Sequence, residues 1–296
     1  MEPSSQRIRV NGVELCLFEW GHPQPGQPTF LLAHATGFHA RCWDQVVRHL
    51  GPQHILAVDQ RGHGRSEAPG ITHWEVFGQD LAEIVRARDL TNIVGVGHSM
   101  GGHAMTQAAA WCPERFTRIL LIDPVIASPD DYGPGGWTLS PPPGSLHPTA
   151  KRKSRFASPQ AMIDRFRDRP PYANFLPECL RDYCTYGLLP APDGDGCVLA
   201  CSPATEASVY MTSRSNPGIY DSARSLEIPT LIVRAKLPLA DRQIMDFSSS
   251  PTWPGLAGEF RQGREIFLAD RTHFIPLETP EYVADLILRD DPGEGS

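Results

Sequence analysis

"VGVGHSMGGHA", Val94 to Ala104, is the stretch on which the reading of this chain turns. An apolar run leads straight into Ser99, glycine stands at Gly97, Gly101 and Gly102, and a helical pattern follows. Gly97-His98-Ser99-Met100-Gly101 fits G-x-S-x-G between a strand and a helix. In that setting the serine occupies a sharp turn with strained backbone angles. Side chains at the flanking positions would collide with the neighbouring strand and helix, so glycine is needed there on steric grounds. The turn lifts the hydroxyl above the sheet edge. It also aims the amide of Met100 at the place where an oxyanion would form. A glycine-rich turn can serve only to pack a helix close to a strand. The strand before it and the helix after it favour the chemical reading here.

On either side of this turn, strands alternate with helices. "VELCLFEW" (Val13 to Trp20) alternates apolar and polar residues at first. Thr29 to His34, His54 to Asp59, Asn92 to His98 and Phe116 to Asp123 are short apolar runs, as buried parallel strands should be. Trp43 to Leu50, Trp74 to Arg88 and Gly101 to Trp111 read as helices; in the second, Val76, Phe77, Leu81, Ile84 and Val85 share one face. This rhythm predicts an α/β protein with a mostly parallel, doubly wound sheet. The rhythm breaks after Asp123. Prolines become dense, as in "LSPPPGSLHP", and the apolar pattern is helical or absent to about Glu227. Strands resume at Ile228 to Ala235 and Arg264 to Asp270, and Thr279 to Leu288 closes with a helix. The expected organisation is a core from residues 1–123 and 228–296, with 124–227 as a largely helical cap insertion.

With 296 residues, 41% of them hydrophobic, the chain can bury a large core. Its formal net charge is −7, from 27 basic and 34 acidic residues, so no nucleic-acid partner is expected. The one basic cluster, Lys151-Arg152-Lys153 with Arg155, lies beside prolines and reads as a solvated loop. No apolar run reaches the length of a membrane span, and the first ten residues lack an apolar signal core. Seven scattered cysteines without CxxC spacing suggest reduced thiols in a cytoplasmic protein, although Cys197 and Cys201, or Cys179 and Cys184, could be neighbours. There is no zinc ligand pattern, and the expected chemistry uses neither metal nor cofactor. Nothing in the pattern speaks to oligomeric state.

A serine hydroxyl is a weak nucleophile and needs a base. Among 11 histidines, His273 stands in "LADRTHFIPLETP", after the last strand and before the last helix. That loop opens at the same carboxyl edge of the sheet as the serine turn. His98 and His103 are too close in sequence to reach round to the serine oxygen. His34 ends a strand and reads as shaping the loop that follows.

Three motifs in family order resemble the α/β-hydrolase family: His34-Ala35-Thr36-Gly37 after a strand, "DQRGHGRS" (Asp59 to Ser66), and Gly97 to Gly101. His273 is a fourth point of likeness, and together they span nearly the whole chain. The resemblance implies a serine nucleophile at Ser99, a base at His273, and an oxyanion hole from the amides of Met100 and Thr36, with Gly37 or Phe38 as alternatives to Thr36. It assigns "DQRGHGRS" to a structural turn. The acid is less evident. The family usually places it after the strand that follows the cap, where this chain has Leu237-Pro238-Leu239, with Asp241 and Asp246 further on. Some relatives take it from the end of the strand before the cap, which here is Asp123. Asp123 is preferred, then Asp241, then Asp246.

The expected function is therefore hydrolysis of a small carboxylic ester. Lactone, thioester or carbon–carbon bond hydrolysis would use the same machinery. A hydrolase-like ligand-binding receptor with little turnover is the reading from another class. Trp137, Phe156, Phe166, Tyr172, Phe175, Tyr183, Tyr186 and Tyr210 could line a pocket in the cap, although most are expected to be ordinary cap core.

Overall fold

The computed structural model describes residues 2–132, 146–239 and 246–289. Eight strands form its main sheet: β1 (Ser4–Val10), β2 (Val13–Trp20), β3 (Thr29–Ala33), β4 (His54–Asp59), β5 (Ile93–His98), β6 (Phe116–Ile122), β7 (Thr230–Ala235) and β8 (Gly263–Leu268). Their spatial order is β1-β2-β4-β3-β5-β6-β7-β8. From β4 across to β8 the neighbours run parallel, whereas β2 pairs antiparallel with both β1 and β4.

Every residue of β3, β4 and β5 is buried, because helices cover both faces of the sheet. Alternate side chains go to opposite layers. Leu31 and Ala33 join the core beneath α2 (Glu75–Ala87) and α3 (Met100–Trp111). Phe30 and Leu32 join the core beneath α1 (Asp44–Leu50) and α8 (Pro280–Leu288). Strand β1 is absent from the sequence reading. It is an edge strand with polar Gln6, Arg7 and Arg9, so it lacks an apolar run. Its hairpin signal is Asn11-Gly12, both at positive φ, which suits a tight two-residue turn.

Between β6 and β7 lie α4 (Pro159–Phe166), α5 (Pro177–Tyr186), α6 (Pro203–Met211) and α7 (Ile219–Ser225). A separate three-stranded sheet, formed by Arg155–Phe156, Leu188–Pro190 and Cys197–Leu199, accompanies them. Strands of two or three residues are too short to show a period of two, so this sheet has no sequence signal. Phe156, Met162, Phe166 and Tyr183 of this segment pack with Phe38, Phe274 and Leu277, which tie it to the carboxyl edge of the main sheet. Ile219, Tyr220 and Ala223 of α7 join the core beneath α2 and α3 instead. Among the described residues no helix is long and apolar enough to cross a membrane. The seven cysteines are free thiols, all buried except Cys197, which is partly exposed.

Candidate active site

Ser99 joins β5 to α3 with φ 58° and ψ −118°, a conformation outside both strand and helix regions. Gly97 and Gly101 make the turn possible. A Cβ on Gly97 would stand 2.3 Å from the carbonyl oxygen of Gly101, and one on Gly101 would stand 2.2 Å from that of Ala33. Both collisions are with backbone, which cannot swing aside as a side chain can. Gly97→Ala is therefore expected to lower stability by about 1–3 kcal/mol through overpacking and to displace the start of α3. Urea unfolding would measure the first effect and serine reactivity the second. A variant matching the parent in both would refute the steric account.

Three side chains from distant parts of the chain meet at this turn. His273 Nε2 lies 2.9 Å from Ser99 Oγ, and His273 Nδ1 lies 2.7 Å from Asp123 Oδ2. A carboxylate can only accept, so Nδ1 carries the proton and Nε2 is left to accept from the serine hydroxyl. His273 is held on a loop pinned at several points. Thr272 donates through its amide and hydroxyl to Glu278, and the Lys236 amide donates to the Arg271 carbonyl. His98 Nε2, 2.8 Å from the His273 carbonyl oxygen, must donate to it. Burial holds the His98 imidazole at a pKa of about 3, so it does this as a neutral ring.

Asp123 ends β6 with φ 45° and is fully buried. Aspartate tolerates that left-handed backbone better than most residues. Its other oxygen, Oδ1, accepts from the Ala235 amide at 3.0 Å and the Ser250 hydroxyl at 2.5 Å. The Thr252 hydroxyl lies 3.2 Å from the same oxygen and 2.7 Å from the Pro124 carbonyl. The loop after β7 thus contributes hydroxyls that hold a carboxylate supplied by β6. Asp246 is engaged elsewhere, accepting from the Ser248 amide at 2.8 Å, and Asp241 lies outside the described residues. Both ring nitrogens of His273 already have partners. Ser250 and Thr252 were missed at the level of sequence. The available signal was the hydroxyl-rich run Ser248-Ser249-Ser250-Pro251-Thr252, in the loop that lacks a carboxylate at the expected position.

The two oxyanion candidates differ in their setting. Met100 opens α3, where a helix leaves its first N–H groups without intrahelical acceptors. Thr36 lines the cavity that contains Ser99, and among the described residues its amide has no protein acceptor. The Phe38 amide donates to the Ala35 carbonyl, and Gly37 lies along a neighbouring cavity instead. His34 braces this loop. Its Nδ1 lies 2.8 Å from the Ala35 carbonyl, and its Nε2 accepts from the Gln60 amide at 3.0 Å. "DQRGHGRS" is occupied with holding loops: Asp59 accepts from the Ala40 and Arg65 amides, and Arg61 forks onto Asp80.

Ser99 and His273 open into a cavity of about 600 Å³, walled largely by apolar groups such as Phe38, Trp74, Val125 and Trp253. Beside it lies a second cavity of about 450 Å³, lined largely by the segment between β6 and β7. Tyr210 lines both, while Phe166, Tyr172 and Tyr183 line the second alone. Phe156 and Phe175 are buried in the hydrophobic cluster of the segment between β6 and β7, and Tyr186 stacks under the Arg41 guanidinium. Trp137 lies outside the described residues.

The solvated-loop reading of the basic cluster holds for Lys151, Lys153 and Arg155, which are exposed, and fails for Arg152. Arg155 pairs with Asp193, whereas Lys151, Arg152 and Lys153 line the second cavity. The proline-led turn Pro148–Lys151 packs on α6 and turns Arg152 inward, while Lys151 and Lys153 stay exposed at the cavity rim. Arg152 Nη1 lies 2.6 Å from Glu206 Oε2. That pair presses on the loop carrying Thr36, since a Cβ on Gly37 would meet Glu206 Oε1 at 2.6 Å. Among the described residues no three His, Cys, Asp or Glu side chains converge as a metal-binding set.

Comparison with known proteins places this geometry in context. A family model described as "Alpha/beta hydrolase family" matches residues 30–286. The chain is similar to a non-heme chloroperoxidase of Streptomyces lividans, 31% identical over 135 residues, covering 44% of this chain and 48% of that protein. It is also similar to a type I acyl-CoA thioesterase, mpaH, of Penicillium roqueforti, 30% identical over 152 residues, or 46% of this chain and 34% of the relative. The matched stretches thus span half or less of these relatives' own lengths. Among solved structures, E-2-(acetamidomethylene)succinate hydrolase superposes with a TM-score of 0.71 at 21% identity, covering 96% of this chain and 97% of the other. At that identity the likeness speaks for the fold.

Proposed function

The chain belongs to the alpha/beta hydrolase family, and we propose that within it this protein is a serine esterase acting on a small carboxylic ester through an acyl-enzyme. The observation that carries the proposal is the continuous hydrogen-bonded series Ser99–His273–Asp123 at the mouth of an apolar cavity. In this reading Ser99 Oγ attacks the carbonyl carbon as His273 Nε2 takes its proton. The amides of Met100 and Thr36 hold the oxyanion, supported by the positive end of α3. Collapse of the tetrahedral intermediate breaks the bond to the leaving alcohol, which receives the proton from His273. Water, deprotonated by His273, then releases the acid and restores Ser99. Asp123 keeps the imidazole in the tautomer that accepts the serine proton and stabilises the imidazolium.

Thioesters fit the same steps with a thiol as leaving group, and the similarity to an acyl-CoA thioesterase supports including them. A cytoplasmic setting is part of the proposal, supported by the seven free thiols. The test is turnover of short-chain chromogenic esters and thioesters, with active sites counted by a fluorophosphonate. Labelling of one serine per chain with repeated turnover is expected. A single stoichiometric burst would favour a ligand-binding receptor, and neither labelling nor turnover would overturn the hydrolase reading.

A further inference from the structure

The second cavity is electrostatically unlike the rest of the molecule. The chain as a whole carries a net charge of −7. Yet the cavity is lined by Lys151, Arg152, Lys153 and Arg165, with Glu206 as the one carboxylate among its described lining residues. Glu206 is already paired with Arg152, whose other Nη lies 3.2 Å from the Tyr183 hydroxyl and 3.4 Å from that of Tyr172. Among the described residues no carboxylate pairs with Lys151, Lys153 or Arg165. The Lys153 ammonium lies 5.2 Å from the centre of the Phe156 ring, which orients it without neutralising it. Three solvent-exposed cations therefore rim a concave space without an acidic partner among the described residues. A cleft rimmed by charges of one sign, with low-dielectric walls, focuses their field and draws anions into it. The walls here are aromatic and proline-rich, including Phe166, Pro170 and Pro171.

This cavity is not remote from the chemistry. Thr36, Phe38, Tyr210, Phe247 and Phe274 line both it and the cavity holding Ser99. A molecule with its carbonyl over Ser99 could extend one arm into the apolar space and another past Thr36 towards the cations.

We propose that the cap cavity is an anion-binding subsite, and that the natural substrate is an ester or thioester bearing a carboxylate or phosphate away from the reacting carbonyl. This rests on the serine-hydrolase reading for its chemistry, but not for the binding itself. Arg152 belongs to the buried pair that braces the oxyanion loop, so the free cations are the ones to remove. K151Q/K153Q/R165Q keeps most of each side chain's bulk and leaves the Arg152–Glu206 pair intact.

Two matched pairs test the proposal and separate the two anions. p-Nitrophenyl hemiglutarate against p-nitrophenyl valerate places a carboxylate on the acyl side. S-butyryl phosphopantetheine against S-butyryl N-acetylcysteamine places a phosphate on the leaving group. In one of these pairs kcat/KM is expected to favour the anionic member at least about tenfold, a preference that weakens with salt. In the triple variant the ratio should fall to near one while the neutral member is unaffected. A wild type without preference in either pair, or a preference that survives the triple variant, would overturn the subsite. Calorimetric titration of Ser99→Ala with glutarate and with inorganic phosphate reads binding separately. Binding abolished by the triple substitution, in a protein that turns over none of the four compounds, would keep the subsite and sink the hydrolase reading. Turnover of the neutral esters with no anion binding would do the reverse.

Discussion

Ser99→Ala is expected to lower kcat for any ester substrate by about 10⁶-fold, on the scale seen when a triad nucleophile is deleted. The loss should be confined to chemistry. Ser99 is 4% exposed, but its side chain is one hydroxyl whose hydrogen-bond partner among the described residues is His273. Removing that oxygen opens no apolar cavity, and alanine tolerates the turn no worse than serine does. Thermal stability should therefore stay close to wild type. Substrate should still bind, because the cavity walls and the amides of Met100 and Thr36 are untouched. Fluorophosphonate labelling should vanish in parallel. Retention of near wild-type turnover by a folded Ser99→Ala protein would remove Ser99 from the mechanism. The structure would then describe only a glycine-rich packing turn.

The sheet was legible because each buried strand carries its own local signal. Within these strands residues 30–33, 55–58 and 93–97 carry no polar side chain, as a strand covered on both faces requires. Ser99 was legible for a related reason, since steric exclusion at Gly97 and Gly101 leaves its mark on the neighbouring residues themselves. His273 could be read from its place between the last strand and the last helix. What escaped depends on contacts between distant segments. Ser250 and Thr252 acquire meaning only when their loop closes over a carboxylate more than a hundred residues earlier in the chain. In the Lys151-Arg152-Lys153 run the exposure of the two lysines was legible, but not the inward turn of Arg152, because polarity in sequence does not reveal concavity. The direction of Arg152 is set by packing of the Pro148–Lys151 turn on α6. The three-stranded sheet between β6 and β7 escaped because its strands are too short to have a period.

Asp123→Asn is expected to lower kcat by about 10⁴-fold, and the surroundings of Asp123 explain why an isosteric amide would be so poor a substitute. The carboxylate uses both oxygens as acceptors: Oδ2 towards His273 Nδ1, and Oδ1 towards the Ala235 amide and the Ser250 hydroxyl. An asparagine has one acceptor oxygen and one NH₂ group. If its oxygen stays with Ala235 and Ser250, its NH₂ faces His273. The ring must then accept at Nδ1 and carry its proton on Nε2, so it can no longer take the proton of Ser99. If the amide flips, its NH₂ meets the Ala235 N–H, a donor against a donor in a fully buried site. Leaving such groups unsatisfied costs about 1–3 kcal/mol, so the first orientation should prevail. Ser250→Ala serves as the contrast. It removes one hydrogen bond to a charged acceptor but leaves the Ala235 amide in place, so its loss in kcat should stay below about a hundredfold. Stopped-flow acylation rates on both variants, with unfolding curves to verify folding, would separate the two effects. An Asp123→Asn enzyme within tenfold of wild type would mean that the imidazole is oriented by another carboxylate, with Asp241 the next to test. The Ser99–His273 step would survive that outcome, because its geometry does not depend on which acid lies behind the ring.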